Sequence, residues 1–289
     1  MQIGWTSWWT MALGIGFMMI GIGCQSSKKI DVGLQLYSLR ADFAKDVPTT
    51  LDEVQKWGVH DTEVAGIPNM NAEELNTELE KRQMHASGIH FSWEDFNTNM
   101  EKVIKDAKAL HCHYVTLAWI PHKVPGRFDF SQAETAAAKF NEWGKTLADA
   151  GLHFTYHAHG YEFRPFDNGT AFDVLVAKTD PKYANFELDI FWAFDGGADP
   201  AALLAKYPDR FPQVHLKDMK KGVPIPNPKY NGSEPVEDDV VLGAGQIDIL
   251  GVLAEAKKVG VKHYYIEDES NEAPQQIPQS ITYIRSIGF

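Results

Sequence analysis

From Ile30 to Phe289 the spacing of hydrophobic positions changes again and again. Apolar runs with alternating polar positions, such as "IDVGLQLYSL", "HDTEVAGI", "MHASGIHFSW", "CHYVTLAWI", "HFTYHAH", "NFELDIFWA", "PQVHLKD" and "HYYIEDE", read as strands. Between them lie stretches whose apolar residues recur every three or four positions, such as "TTLDEVQKWG", "NAEELNTELEKR", "EDFNTNMEKVIKDAKALH", "SQAETAAAKFNEWGKTLADAG" and "QIDILGVLAEAKKVG". That spacing predicts helices. Asn71 and Ser131 are placed to cap two of them, and Gly58 and Gly151 to stop two. Eight strand–helix units in succession imply a parallel sheet with helical crossovers. At this chain length they fit a single closed (β/α)8 TIM barrel over residues 28–289 better than two doubly wound domains. The longest irregular segment is Met219–Ala244, which holds four prolines and reads as a rim or lid.

The N-terminus has a different character. Residues 1–23 carry no charged side chain, and Cys24 follows Gly21-Ile22-Gly23. An apolar run ending in small residues reads as an export signal over residues 1–24. The stretch resembles a bacterial lipobox, although Gly21 stands where leucine is usual and no Lys or Arg precedes the apolar run. Cys24 is then the expected lipidation site, and the protein an exported, periplasmic or membrane-anchored lipoprotein. Cys112 would be the only other thiol, which leaves no internal disulfide. A formal net charge of -12 and the lack of any long Lys/Arg cluster argue against a nucleic-acid partner.

In a barrel of this kind the carboxyl ends of the strands surround one mouth, where sites are built. The successive strand ends offer Gln35, Tyr37 and Arg40; Glu63; His90 and Trp93; Trp119 and His122; His157, His159 and Glu162; Glu187, Asp189 and Trp192; His215, Lys217 and Asp218; Glu267 and Glu269. A lone strand-end histidine or glutamate is usually a satisfied core or rim residue. Four consecutive strands each supplying a ligand-competent group are a different matter. Asp189, His215 and Glu267 sit in apolar surroundings where an unpartnered ionisable group is costly. Carboxylates and imidazoles converging there make a mixed oxygen and nitrogen site for a divalent ion such as Mn2+, Mg2+, Co2+ or Zn2+.

At "VHLKD", "ELDIFW" and "YIEDE" the chain resembles the xylose isomerase-like TIM-barrel family, which includes sugar phosphate isomerases and epimerases, inosose dehydratases and 3-keto-glycoside-processing enzymes. The resemblance extends over nearly all of Ile30 to Phe289, and "LGAGQIDI" resembles the loop such proteins carry before the seventh helix. It implies a Glu–Asp–His–Glu metal site, with Asp189, His215 and Glu267 at three positions. The fourth, on the fifth strand, falls within His157-Ala158-His159-Gly160-Tyr161-Glu162-Phe163, and either His157 or Glu162 can fill it. Alternation favours His157, which points to the same side as His159.

Such a site binds a small sugar or glycoside and promotes proton abstraction beside a carbonyl, leading to isomerisation, epimerisation or elimination. His159 or Glu267 would move the proton, and Lys217 would stabilise the oxyanion. Glu63, His90, Trp119 and Trp192 are candidate substrate contacts. Export, and the lack of a cationic cluster for phosphate, favour an unphosphorylated keto-sugar or 3-keto-glycoside. A sugar-binding lipoprotein without catalysis and a hydrolase of the AP-endonuclease type are the alternatives.

Overall fold

The computed structural model describes residues 1–4, 31–66, 70–122, 128–227, 229, 232 and 235–289. Cys24 and the apolar N-terminal segment lie outside them. No helix among the described residues is long and apolar enough to cross a membrane.

Eight parallel strands close into one barrel: β1 (Val32–Gln35), β2 (Asp61–Val64), β3 (His85–Phe91), β4 (Tyr114–Leu117), β5 (His153–His157), β6 (Ala184–Asp189), β7 (Gln213–Leu216) and β8 (His263–Ile266). Each strand pairs with its sequence neighbours, and β1 closes on β8 with Val32 opposite Tyr264. The principal helices are α1 (Val47–Lys56), α2 (Ala72–Lys81), α3 (Met100–Ala109), α4 (Phe130–Asp149), α5 (Ala171–Lys178), α6 (Pro200–Lys206), α7 (Ile249–Val259) and α8 (Ala273–Ser286). The expected single (β/α)8 barrel is therefore what the chain forms.

Local chemistry sets most boundaries. Asn71 caps α2 in a reciprocal arrangement with Glu74. The cap of α4 is Asp129, paired with Gln132, and not Ser131 as the sequence suggested. Two residues upstream of Ser131, Asp129 accepts the Gln132 backbone N–H (3.0 Å) while the Gln132 side chain accepts that of Asp129 (3.0 Å), so the helix starts earlier. Gly58 and Gly151 both take positive φ just past their helices, as expected. The helix expected after β3 is broken at Asn99 into Trp93–Thr98 and α3.

Strand β5, "HFTYH", shows how the two faces differ. Phe154 and Tyr156 face outward and pack on Phe140 of α4, at ring separations of 5.1 and 5.0 Å. Burying each such ring contributes roughly 1.5–3 kcal/mol. Thr155 and His157 alternate with them and face the barrel axis.

That axis is polar. Thr116 bonds Thr155 (2.8 Å), Thr155 donates to Gln213 (2.9 Å), Gln213 donates to Glu63 (3.0 Å), and Gln35 donates to Glu63 (2.7 Å). All five side chains are buried. This chain of bonds crosses the lumen from β4 to β1 and forms the floor beneath the mouth.

Candidate metal centre

Each strand end delivers its group through ordinary alternation. Glu187 and Asp189 are two apart on β6 and share the inner face. The Oδ1 atom of Asp189 accepts from the backbone N–H groups of Phe191 and Trp192 (2.8 and 3.0 Å), capping the short helix Ile190–Asp195. Its Oδ2 is buried and has no hydrogen-bond partner. It lies 3.7 Å from Nδ1 of His215, which is also 3.3 Å from Oε2 of Glu267.

Ligand-competent atoms of His157, Asp189, His215 and Glu267 all fall within 4.8 Å of one another. Those of His90, His157, Glu187 and His215 form an overlapping group on the same criterion. Nitrogen and oxygen ligands bonded at about 2.0–2.2 Å lie up to roughly 4.4 Å apart across an ion, so the first set needs only a small contraction to surround one.

The charge balance favours a cation. Glu63, Glu187, Asp189 and Glu267 are all buried around three histidines. The Lys217 ammonium is shared with two further carboxylates, Glu269 (2.6 Å) and Asp239 (3.5 Å), and lies 3.8 Å from Glu267. Burial alone would lower the pKa of His215; the carboxylates of Glu187, Glu267 and Glu63 outweigh it and raise it well above the usual imidazole value. Burial likewise opposes protonation of His90, yet Glu63 and Glu187 lift it to about 10. Burial would raise the carboxyls of Glu187 and Glu267, but His215 and His90 hold the first well down and Lys217 and His215 the second. This donor set, with one orphaned carboxylate oxygen turned toward it, fits a divalent ion.

Over the cluster lies a cavity of about 670 Å³ walled by Tyr37, Trp93, Trp119, Trp192 and His159, with Glu267 at its base. No Lys or Arg lines it among the described residues. The long segment after β7 reaches this mouth: a Cβ at Gly232 would fall 2.8 Å from the His159 carbonyl oxygen and 3.0 Å from the Trp119 ring. His159 sets its tautomer locally. Its Nδ1 lies 3.2 Å from the carbonyl oxygen of His157, which can only accept, so Nδ1 carries the proton and Nε2 keeps a lone pair. Burial, with His157 alongside, pushes its pKa well below the ordinary value, so the ring is neutral.

The sequence profile of the xylose isomerase-like TIM barrel family matches residues 69–287. The chain belongs to this family. Among curated relatives, the inosose dehydratase of Geobacillus kaustophilus is 23% identical over 203 residues, covering 68% of this chain and 62% of that enzyme. This chain thus spans a little under two thirds of the length of that relative. Among solved structures, a sugar phosphate isomerase/epimerase from Parabacteroides distasonis superposes with a TM-score of 0.71 at 22% identity, over 90% of this chain and 94% of the other. The IolI protein with a bound zinc atom superposes with a TM-score of 0.66 at 14% identity, over 90% and 96%. At these identities the structural likeness speaks for the fold.

Within this xylose isomerase-like barrel most predicted residues converge, but several do not sit as expected. Glu162 is not brought to the cluster. It follows Gly160, whose positive φ turns the chain back, and its carboxylate accepts from the His159 backbone N–H (3.2 and 3.0 Å) and from the Tyr156 hydroxyl. Tyr156 faces away from the axis, so Glu162 lies on the helix side of β5, where burial pushes its pKa up to about 7. Glu63 lies under the histidines and does not line the cavity. Lys217 lines a separate cavity of about 190 Å³ behind Trp192, and its ammonium steadies Glu267 and Glu269 instead of facing the main cavity. His90, Trp119 and Trp192 do line the cavity.

Glu187, named among the strand ends, has no role assigned from the sequence, although its alternation with Asp189 places both on one face. Asp218, also named among the strand ends, does not line the cavity. It accepts the backbone N–H groups of Met219, Gly243, Gly245 and Ile247 and so folds the "LGAGQIDI" loop.

Proposed function

We propose that the protein is a divalent-metal-dependent enzyme that abstracts a proton beside the carbonyl of an uncharged sugar, leading to dehydration or isomerisation. The observation that carries this is the convergence of His157, Asp189, His215 and Glu267, with the unpartnered Oδ2 of Asp189, at the base of an aromatic-walled cavity. These four residues would hold the ion. A divalent ion bound there supplies Lewis acidity for a carbonyl and an adjacent hydroxyl.

The chain's own groups do the rest. His159 is neutral, carries a free lone pair on Nε2 and lines the cavity, so it is the proton acceptor. Trp119 and Trp192 offer apolar ring faces to a sugar, and His90 lines the same cavity with a hydrogen-bonding group. Lys217 holds Glu267 in place through its charge.

The lack of Lys and Arg among the described residues lining the cavity supports an unphosphorylated substrate, a keto-sugar or 3-keto-glycoside. The named activity of the Geobacillus relative, an inosose dehydratase, belongs to the same chemical class. An export segment ending at Cys24 agrees with such a substrate, and mass spectrometry of membrane fractions for an acylated Cys24 tests it.

Solvent deuterium exchange tests the chemistry whatever the final product. Keto-sugars incubated in D2O with protein and Mn2+, Co2+ or Zn2+ should take up deuterium beside the carbonyl, as seen by NMR. The uptake should vanish in Asp189→Ala and His159→Ala. A wild type that binds no ion, or binds one and exchanges nothing across a panel of keto-sugars, overturns the reading.

A further inference from the structure

Both imidazoles of the proposed ligand set are backed by a buried glutamate outside that set. Nδ1 of His157 is 2.9 Å from Oε2 of Glu187, and Nε2 of His215 is 2.6 Å from Oε2 of Glu63. We propose that Glu63 and Glu187 are positioning carboxylates: each accepts the N–H of one imidazole, so that His215 binds the ion through Nδ1 and His157 through Nε2. The inference rests on the ligand set proposed above.

The distances decide between bonding and co-ligation. Ligand atoms around a tetrahedral ion with bonds of about 2.0 Å stand about 3.3 Å apart. On the Nδ1 side of His215 the spacings are 3.3 Å to Glu267 and 3.7 Å to Asp189, longer than strong hydrogen bonds and right for ligands of one ion. On its Nε2 side Glu187 Oε2 stands at 3.2 Å, a spacing that co-ligands could also have, but Glu63 at 2.6 Å is too short for a co-ligand and right for a charge-assisted N–H···O bond, and it is the nearer acceptor for that N–H. A neutral imidazole has one N–H and one lone pair, so a proton given to Glu63 leaves Nδ1 as the donor atom. The same reasoning applied to the 2.9 Å contact with Glu187 leaves Nε2 of His157.

The two glutamates are themselves held. Gln35 and Gln213 each donate to Glu63. Gly88 gives Glu63 its space, since a Cβ there would sit 2.8 Å from Glu63 Oε1. His90 ties the pair together, with Nε2 3.0 Å from both Glu63 and Glu187. The overlapping group of His90, His157, Glu187 and His215 suggests a second ion instead. That arrangement would draw the same two histidines into ligating two ions, and its stoichiometry would show it.

The test uses the full chain loaded with Co2+ and, for NMR, Zn2+ with 15N-labelled histidine. Wild type should bind one ion. Glu63→Gln and Glu187→Gln, checked for native far-UV circular dichroism, should bind it roughly 10–100-fold more weakly and with a shifted Co2+ absorption band. Independently of any variant, the Zn2+-loaded wild type should show His215 protonated on Nε2 and His157 on Nδ1. One ion with unchanged affinity and spectrum in both variants, or the opposite tautomers in the wild type, overturns this inference alone. Two ions per chain, one of them lost in Glu187→Gln, overturns it in favour of a second site. A wild type that binds no ion sinks the ligand set itself.

Discussion

Both carboxylate oxygens of Glu162 accept the backbone N–H of His159, at 3.2 and 3.0 Å. The contact buckles the turn after β5 and so fixes where the side chain of His159 enters the cavity. Glu162→Ala would leave that buried N–H without its acceptor, at about 1–3 kcal/mol, while the Tyr156 hydroxyl would keep the Tyr161 hydroxyl at 2.8 Å. Urea denaturation should show the loss, while metal stoichiometry stays unchanged. If the variant kept its stability and lost its metal, Glu162 would be a ligand after all.

Asp189→Asn separates the two jobs of one side chain. Its Oδ1 can still cap Ile190–Asp195, whereas the charge facing His215 and Glu267 is gone. At an ion concentration of 100 times Kd, binding stabilises the folded state by about 2.7 kcal/mol. A chelator should therefore lower the melting temperature of wild type and leave that of Asp189→Asn unmoved. An equal chelator effect in both proteins would exclude Asp189 as a ligand.

Gly245→Ala tests the loop before α7. The added Cβ would lie 2.2 Å from Asp218 Oδ1 and 2.3 Å from the Met219 carbonyl oxygen, both in a tightly bonded turn. Overpacking of this kind costs about 1–3 kcal/mol. Thermal melts should report it, and a neutral result would mean that the turn yields more readily than its four bonds to Asp218 suggest.

Acid stability should depend on Asp173. Partial burial pushes its carboxyl up, but hydrogen bonds from Lys206 (2.7 Å), Tyr207 and Thr170 outweigh that and hold its pKa at about 2, below the ordinary 3.8. A depressed carboxyl stabilises the fold above its unfolded value and loses that contribution as pH falls from about 3.8 through about 2. Asp173→Asn should be less stable than wild type at neutral pH, and the gap should narrow across that window. A gap that stays constant down to pH 2 would remove Asp173 from the acid response.

The fold was readable because each change of hydrophobic period marks a strand or helix, and eight such changes leave few architectures. Asp189, His215 and Glu267 were readable because alternation alone carries them to the mouth. Glu162 was not, since its direction depends on the positive φ of Gly160, which alternation does not encode. Glu63 was misjudged for a related reason. The register between β2 and β3 shifts at Thr62 and Glu63, and Gly88 opposite leaves a space into which Glu63 settles beneath the mouth. Glu187 stood in view, but a second acid two residues before Asp189 reads as redundant until the imidazoles that need a backing carboxylate are known.

The hydrogen-bonded floor from Thr116 through Thr155, Gln213 and Glu63 to Gln35 bears on how this protein can change. Each member donates to or accepts from its neighbour, so replacing one by an apolar residue strands the next. Altered specificity is therefore more readily reached through the walls, at Tyr37, Trp93, Trp119 or Trp192, where each residue can vary alone. The floor can drift only by matched pairs of substitutions, and a library that randomises Gln213 should recover folded members mainly when Glu63 or Thr155 changes with it.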